Sequence, residues 1–200
     1  MPAENGRHPL GDQRGMGYED HKAAAGQRAV ACAVITCSDS RTDATDDSGH
    51  LIRELLAAHG HTCPFHRISP DDPAAIAALL DQLTARPDVQ AIILNGGTGV
   101  SRRDSTFDAV AAKLHKTLPG FGEIFRFLSY QSIGSGALLS RATAGIILTP
   151  PPGTHASGAA VAAERHTLVF SIPGSPNAVE LAMTRLILPE LAHLVWEVNR

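Results

Sequence analysis

The chain has 200 residues, 44% hydrophobic but only 4% aromatic, so we expect a single domain with an aliphatic core. A formal net charge of -3 argues against the strongly basic class of proteins that wrap a nucleic-acid backbone. No segment reaches the roughly 20 apolar residues of a membrane-spanning helix, and the N-terminus lacks the apolar core of a signal peptide. We therefore expect a cytoplasmic protein without a membrane or nucleic-acid partner.

The first predicted elements form a strand, a loop and a helix. Residues 1–28 are rich in Gly, Gln and charge without periodicity, and we interpret them as a flexible arm before a domain spanning 29–200. The apolar run 29–36 predicts a strand buried on both faces. Ser48 is a candidate N-cap for the following helix, and Gly60 is placed to end that helix in a left-handed conformation.

The same unit repeats along the chain. Alternation over 61–68 predicts a less buried strand. Pro73 then opens a helix whose apolar stripe at helical spacing is formed by Ile76, Leu79, Leu80 and Leu83. The short apolar strand 91–94 leads into a glycine-rich turn, and Ser105 with Asp108 has capping-box spacing before another helix. Strands and helices that alternate in this way predict an α/β fold with a mostly parallel sheet between helices.

The C-terminal part continues this pattern around a long loop. Its predicted elements are helical segments at 121–130 and 133–139 and strands at 144–148 and 168–172. The Pro-, Gly- and Ala-rich stretch 149–163 is interpreted as an insertion loop. Ser175 and Pro176 then cap and open the last helical region.

Cysteine and histidine spacing raises a metal alternative. The cysteines are Cys32, Cys37 and Cys63. Their odd number and the lack of a C-x-x-C pair favour small core or strand residues. Zinc bound by His59, His61, Cys63 and His66 is the alternative, but on a strand His61 and His66 lie on opposite faces, so the four groups do not converge.

Four predicted loops follow strands and should meet at one edge of the sheet, where open α/β folds bind ligands. These loops are Ser38–Ser40, Pro70–Asp72, Asn95–Asp104 and Pro173–Pro176. Candidate binding residues are therefore sought there first.

The strongest candidate is the turn Gly96–Gly99 with the charged residues behind it. Glycines let backbone N–H groups approach an anion, and a following helix N-terminus adds partial positive charge. The segment is neither a Walker loop nor a dinucleotide fingerprint, so a different phosphate site is predicted. Arg102 and Arg103 can offset ligand charge, and Asp104 beside them fits a divalent cation or a proton. A plain turn with a surface ion pair is the alternative.

Other acidic residues near these loops have structural alternatives. Asp71 and Asp72 precede a predicted helix, so one carboxylate can cap it while the other faces the cleft. Asp43, Asp46 and Asp47 precede the first helix and are interpreted as solvated or capping residues.

Several motifs stand in a fixed order along the chain. They are Ser38-Asp39-Ser40, Asp47-Ser48-Gly49, Gly96-Gly97-Thr98-Gly99, Arg103-Asp104-Ser105-Thr106, Pro119–Arg126, Ser140-Arg141-Ala142, Pro173–Val179 and Ile187–Trp196. Together they resemble the MoaB/MogA family of molybdenum cofactor biosynthesis proteins, its MoaB branch in particular, over most of residues 29–200. Asn95, where the family commonly has Thr, and the insertion near 147–165 depart from the family pattern.

The resemblance implies a fold, an assembly and an activity. The fold is a single three-layer, Rossmann-like α/β domain, and the assembly is a homotrimer or hexamer. The activity is molybdopterin binding followed by adenylylation of its terminal phosphate with MgATP, which releases pyrophosphate. Molybdopterin and ATP are then the substrates, Mg²⁺ is the cofactor, and other molybdenum cofactor biosynthesis proteins are implied partners.

The resemblance also implies site residues. Asp104 matches the family position that we assign to magnesium and phosphate organisation, and Asp71 the position that orients the attacking phosphate or the ion. The implied substrate-binding residues are Ser38, Asp39, Gly96, Gly97, Thr98, Gly99, Arg103, Glu123, Ser140, Arg141, Gly174 and Ser175. Arg141 is expected, with Arg102 and Arg103, to offset the charge of the ligand.

Two other functions stay open at the level of sequence. A MoaB-type protein can hold molybdopterin without transferring AMP, although the presence of both Asp71 and Asp104 favours the enzyme. The third alternative is an interaction domain of the kind fused into scaffold proteins, but the chain is too short to contain fused partners.

Overall fold

The computed structural model describes residues 26, 28–101, 104–150 and 164–200. The strands are β1 (Ala31–Cys37), β2 (Thr62–Ser69), β3 (Ala91–Asn95), β4 (Lys116–Thr117), β5 (Thr143–Thr149) and β6 (Arg165–Ile172). The helices are α1 (Asp47–Ala58), α2 (Pro73–Thr84), α3 (Thr106–Lys113), α4 (Pro119–Ile133), α5 (Pro176–Ala182) and α6 (Leu188–Val198). Short 3-10 helices at Asp43–Thr45 and Gly134–Leu139 and a π-helical turn at Met183–Ile187 complete the description.

The described strands form one six-stranded sheet in the order β2-β1-β3-β6-β5-β4. Neighbours among β2, β1, β3 and β6 run parallel, whereas β5 runs antiparallel to both β6 and β4. The prediction of a mostly parallel sheet in a single α/β domain is confirmed. As a result, the loops after β1, β2, β3 and β6 lie next to one another at the same edge.

The core consists of two apolar layers, one on each face of the sheet. Alternate residues of β1 point to opposite faces, so Val34 packs with α1, α4, α5 and α6, while Ile35 packs with α2. The predicted apolar stripe of α2 is fully confirmed, since Ile76, Leu80 and Leu83 are completely buried. The aliphatic composition therefore produces a three-layer sandwich with few aromatic side chains in the core.

Two predicted helix caps are wrong, and both errors concern a side chain with a better partner. Ser48 does not cap α1, because the carboxylate of Asp46 accepts the hydrogen bond from Gly49 N at 2.9 Å. Ser105 does precede α3, but its side chain does not cap this helix, and its hydroxyl donates to Asp71 instead. Gly60 ends α1 as predicted, with φ +77°.

The structure also changes the boundaries near the predicted insertion. Ile147–Thr149 belongs to β5 and Arg165 to β6, so the loop is shorter than the expected 147–165. Residues 151–163 lie outside the described part of the chain, as do 1–25 and 27 of the predicted arm. Strand β4, only two residues long, was not predicted because it carries no periodicity.

An exposed apolar surface runs along α4 and the 3-10 helix after it; we call it the α4 face. Its members are Ile124, Phe127, Tyr130, Ile133, Leu138 and Leu139, which are 51% to 84% exposed. Within the described residues, no helix combines the length and the hydropathy needed to cross a bilayer.

Candidate functional site

A cavity of about 370 Å³ opens at the edge of the sheet, and three of the four predicted loops line it, whereas Pro70–Asp72 does not. It is lined by Thr36, Cys37, Ser38, Arg41, Asp46, Ser48, Asn95, Gly96, Gly97, Thr98, Gly99, Asp104, Leu139, Ser140, Pro173 and Gly174. Its size is that of a small-molecule site. A second cavity of about 500 Å³ adjoins it, with Ser140 and Pro173 as the shared wall.

Two consecutive glycines shape the floor of the cavity. Gly96 and Gly97 have φ values of +96° and +60°, which side-chain-bearing residues rarely adopt. A Cβ on Gly96 would collide with the Cys37 carbonyl oxygen, and one on Gly97 with Thr106 and the Asp71 carboxylate. Only glycines therefore let the chain turn sharply here from β3 toward the cavity.

Asp104 closes the loop that follows the glycines. Its Oδ2 accepts a hydrogen bond from Ser101 N at 2.9 Å, and the residue lines the cavity. Hydrogen bonding from the Ser101 side chain, aided by backbone amides and the charge of Arg141, holds the pKa of Asp104 below its ordinary value. Asp104 is thus an anionic group at neutral pH, in the place expected of a cation ligand.

Asp71 is bound to the start of α3. Its Oδ1 accepts from Ser105 N at 3.1 Å, Ser105 Oγ at 2.9 Å and Thr106 Oγ1 at 2.9 Å. Its Oδ2 is next to Gly97. Asp72 caps α2 by accepting from Ala75 N at 2.8 Å, so the predicted cap is present. Asp71 is directed to the start of α3 and is not part of the cavity wall, where the prediction had one of the two carboxylates face the cleft.

A buried polar chain underlies the cavity wall. The side chain of Asp46 is 1% exposed, and its Oδ2 accepts from Thr36 Oγ1 at 2.8 Å and contacts His66 Nε2 at 3.0 Å. Asn95 Nδ2 donates to the same Thr36 hydroxyl at 2.9 Å. These bonds connect the ends of β1 and β3 to the start of α1.

The opposite wall is held by Ser48. Its hydroxyl donates to Gly174 O at 2.8 Å and so ties α1 to the loop after β6. Among the described cationic side chains, Arg41 is the one that lines the cavity, and its guanidinium also donates to Thr45 O. Within the described part of the wall, a charged ligand would therefore meet backbone amides, hydroxyls, Arg41 and the carboxylate of Asp104.

The predicted substrate-binding residues fall into three groups. Those in the cavity wall are Ser38, Gly96, Gly97, Thr98, Gly99, Ser140 and Gly174. Those outside that wall are Asp39, which accepts from Asp71 N; Glu123, exposed on α4; Arg141, bound to the glycine-rich loop; and Ser175, which caps α5 and lines the second cavity. Arg103, with Arg102, lies outside the described residues.

Sequence reasoning missed several residues of the wall. Asp46 was interpreted as solvated or capping; it does cap α1, but it is buried. Thr36 was interpreted as the end of a strand and Asn95 as the first residue of a candidate loop, and Arg41 was not considered. The sequence signal available for Thr36 and Asn95 was that both are polar and end otherwise apolar strands.

The histidines of the zinc alternative have other partners. His61 Nδ1 accepts from Val30 N, and His66 contacts Asp46. Within the described residues, no three His, Cys, Asp or Glu side chains group closely enough to hold a metal by themselves. Magnesium does not need such a group, because it commonly binds through one or two carboxylates together with substrate phosphates. Asp104 on the cavity wall fits the role of such a carboxylate.

A model of the family described as a probable molybdopterin binding domain matches residues 33–193. The chain belongs to the MoaB/MogA family of molybdenum cofactor biosynthesis proteins. Among curated members, molybdenum cofactor biosynthesis protein B of Halalkalibacterium halodurans is 46% identical over 184 residues, which cover 92% of this chain and 98% of that protein. The resemblance inferred from the motifs is confirmed.

Solved structures of family members have the same fold. A crystal structure of molybdenum cofactor biosynthesis protein B has a TM-score of 0.76 and 43% identity, and the match covers 87% of this chain and 98% of that one. The tungsten cofactor synthesizing protein MoaB of Pyrococcus furiosus has a TM-score of 0.72 and 32% identity, with coverage of 86% and 99%.

Proposed function

We propose that this chain binds molybdopterin in the cavity and transfers AMP from MgATP to its terminal phosphate. The observation that carries the proposal is the Gly96–Gly99 turn, which faces a cavity whose wall also contains the Asp104 carboxylate. Family membership supports molybdopterin as the ligand. The low pKa of Asp104 supports a role in binding a cation rather than in donating a proton.

Space for two substrates supports the transfer reaction. The cavities of about 370 and 500 Å³ adjoin at Ser140 and Pro173, so a pterin and a nucleotide can lie on either side of this wall. The glycine-loop amides and Arg41 would bind phosphate oxygens between them. Such positioning is what phosphoryl-type transfer chiefly requires of a protein.

The chemistry is a displacement at phosphorus. An oxygen of the terminal phosphate of molybdopterin forms a bond to the α-phosphorus of ATP, the bond from that phosphorus to the β-phosphate oxygen breaks, and pyrophosphate leaves. Asp104 would hold Mg²⁺, which supplies positive charge to the phosphates when bound. Asp71 would keep the glycine loop and the α3 N-terminus in place, with Oδ2 beside Gly97.

The second candidate function is molybdopterin binding without AMP transfer, as a MoaB-type binding protein. This function is favoured by the surroundings of Asp71. Its Oδ1 accepts three hydrogen bonds from within the protein, and the residue does not line the cavity. Both functions need the same pocket, so the reaction itself must be tested.

Purified protein is incubated with molybdopterin, ATP and Mg²⁺, and adenylylated molybdopterin and pyrophosphate are measured. Formation of both products in equal amounts supports the transferase. Tight molybdopterin binding without either product overturns the transferase and supports the binding protein. Failure to bind molybdopterin overturns both.

The variant Asp104→Asn removes the charge that the proposal needs. We expect AMP transfer to slow by about 100-fold or more, the scale of one lost preorganised electrostatic contact. Asp43→Asn is the matched control, because Asp43 is an exposed acid before α1 and lies outside the cavity wall. Unchanged transfer by Asp104→Asn would remove that residue from the mechanism.

Self-association is also proposed, as the family resemblance implies a homotrimer or hexamer. The α4 face is the apolar surface that a second copy of the chain would cover. Leu139 belongs both to this face and to the cavity wall, so association there would shield the site from water.

A further inference from the structure

The Arg141 side chain is bound by several hydrogen bonds to the loop that follows Gly96 and Gly97. Its Nε donates to Thr98 O at 3.1 Å, and its Nη2 donates to Gly99 O at 2.5 Å and to Asp104 O at 3.0 Å. One side chain therefore holds backbone carbonyls on both sides of the segment 100–103.

The remaining guanidinium nitrogen and the face of the group are also occupied. Nη1 donates to both carboxylate oxygens of Asp108, at 3.1 and 3.0 Å, and the guanidinium stacks over the Phe107 ring at 4.9 Å. All three nitrogen atoms thus donate within the protein. This arrangement differs from the expectation that Arg141 neutralises the ligand through direct contact.

The bonded carbonyls determine where the amides of the loop point. In a planar trans peptide, the N–H of the next residue points away from the preceding C=O. Carbonyls of Thr98 and Gly99 that face Arg141 therefore turn the N–H groups of Gly99 and Val100 away from it. The same rule holds at Asp104, because Ser105 N points to Asp71 Oδ1 at 3.1 Å.

A loop of this kind does not keep one shape by itself. Gly96, Gly97 and Gly99 give the backbone wide conformational freedom, and an ordered shape costs entropy. A planar guanidinium with donors in fixed directions can hold several carbonyls at once, whereas a lysine ammonium offers one point charge on a flexible stem.

We propose that Arg141 is a positioning residue that fixes Thr98, Gly99 and Asp104 so that the N–H groups of Gly99 and Val100 and the Asp104 carboxylate face a phosphate-bearing ligand. The proposal rests on the proposed function in one respect, namely that this loop binds substrate phosphate. Arg141 acts through the loop and not through contact with the ligand.

The matched control is Arg86. It also forms a bidentate pair with a carboxylate, Asp88 at 2.9 and 2.6 Å, and stacks over a phenyl ring, that of Phe65 at 5.6 Å. It lies in the connection between α2 and β3, away from the cavity wall. Arg86→Ala removes an ion pair and a ring contact without touching the loop.

Hydrogen exchange of the unliganded protein tests the structural half of the proposal. In Arg141→Ala and Arg141→Lys, the amides of residues 99–105 should exchange at least about 10-fold faster than in the wild type, because lost hydrogen bonds to a charged group open the loop. Arg86→Ala should leave these amides unchanged. Unchanged exchange in both Arg141 variants would overturn the proposal.

Binding of MgATP, measured by calorimetry, tests the functional half. We expect both Arg141 variants to bind about 10- to 100-fold more weakly than the wild type, with Lys no better than Ala. Guanidinium chloride below denaturing concentration should partly restore binding to Arg141→Ala and should not improve the wild type. Direct ligand contact predicts instead that Arg141→Lys retains most of the affinity, and that result would overturn the positioning role.

The two proposals fail separately. If wild-type protein binds neither MgATP nor molybdopterin, the proposed function is wrong, while the amide exchange of residues 99–105 still decides whether Arg141 holds the loop. If the wild type binds MgATP and the Arg141 variants bind equally well, the positioning role is wrong and the proposed function stands.

Discussion

The aspartates of this chain have different structural roles because their surroundings differ. Asp72 caps α2, Asp71 holds the start of α3 from another loop, and Asp46 is buried beneath the cavity. Of the aspartates that the structure describes, Asp104 is the one that combines a place on the cavity wall with a lowered pKa. The partner available within about 3 Å decides each role.

The pH dependence of stability should report on Asp104. Its folded-state pKa lies below the unfolded value of about 3.9, so its stabilising contribution is complete above that value and is lost as pH falls through the folded pKa. The difference in unfolding free energy between wild type and Asp104→Asn should be constant above about pH 5 and shrink below about pH 4. A difference that already shrinks between pH 7 and about pH 5 would mean a raised pKa and contradict the assignment.

Asp46 should matter more for stability than its position before a helix suggests. Asp46→Ala removes the cap of α1 and leaves Thr36 and His66 without their buried partner, so we expect a loss of about 2 kcal/mol or more. Asp43→Ala, whose side chain is 83% exposed, should change the unfolding free energy by less than about 0.5 kcal/mol. Urea unfolding at constant protein concentration measures both, and equal effects would contradict the burial argument.

At the scale of elements, the site depends on how strand ends meet helix starts. The turn after β3 is held from three directions: by Asp71 from the loop after β2, by Arg141 from the segment before β5, and by the Gly96 N hydrogen bond to Ile172 O of β6. Each of these contacts joins elements that are neighbours in the sheet or its layers and distant in the sequence. The shape of the loop is therefore a property of the assembled sheet edge.

The turn itself should tolerate no side chain. In Gly97→Ala, the φ of +60° and the collision of the new Cβ with Thr106 and Asp71 should cost about 2 kcal/mol or more and weaken MgATP binding. Gly120→Ala is the control, because a Cβ there, in the first turn of α4, meets nothing within 4 Å. This control should be neutral or stabilising by up to about 1 kcal/mol in thermal unfolding. Equal behaviour of the two variants would contradict the described turn.

At the scale of the whole molecule, the buried core contrasts with the exposed apolar surface of the α4 face. The sheet is covered on both faces, yet Phe127 and Tyr130 are each 62% exposed and Leu138 is 84% exposed. Contiguous apolar surface of this kind is typical of interaction sites. Because Leu139 and Ser140 continue from this face into the cavity wall, association and binding are expected to be connected.

Self-association through the α4 face can be measured by sedimentation. We expect wild-type protein to sediment as a trimer or hexamer and Phe127→Asp combined with Leu138→Asp to sediment as a monomer, since a charge in an apolar interface is costly. Ala111→Asp, on the exposed side of α3, is the control and should keep the wild-type size. A monomeric wild type, or a double variant of unchanged size, would refute the proposal.

Much of the fold could be predicted because it rests on short-range patterns. The apolar run before Ser38 predicts β1, Pro73 and the aliphatic spacing behind it predict α2, and Gly60 predicts the end of α1. These features act within a few residues, where backbone sterics and side-chain periodicity dominate. The loops of the site could also be located, since parallel strands bring their carboxyl ends to one edge.

The partners that the Ser48 and Ser105 side chains bind instead of capping a helix could not be predicted, because these partners are distant in the sequence. Ser48 donates to a carbonyl 126 residues away, and Ser105 to a carboxylate 34 residues away. A pattern of neighbouring residues contains no information on such partners. For Ser105, a hydrogen bond to a charged group outweighs the local cap.

By itself, the sequence determined the α/β class, the positions of most strands and helices, the family and the glycine turn, since each depends on local preference or on an ordered set of motifs. Only the tertiary structure decided that Asp46 is buried, that Asp71 binds α3 and that Arg141 holds the loop carbonyls instead of standing free. The physical reason is that a polar side chain takes the best partner that packing brings within reach, and packing is set by the whole sheet.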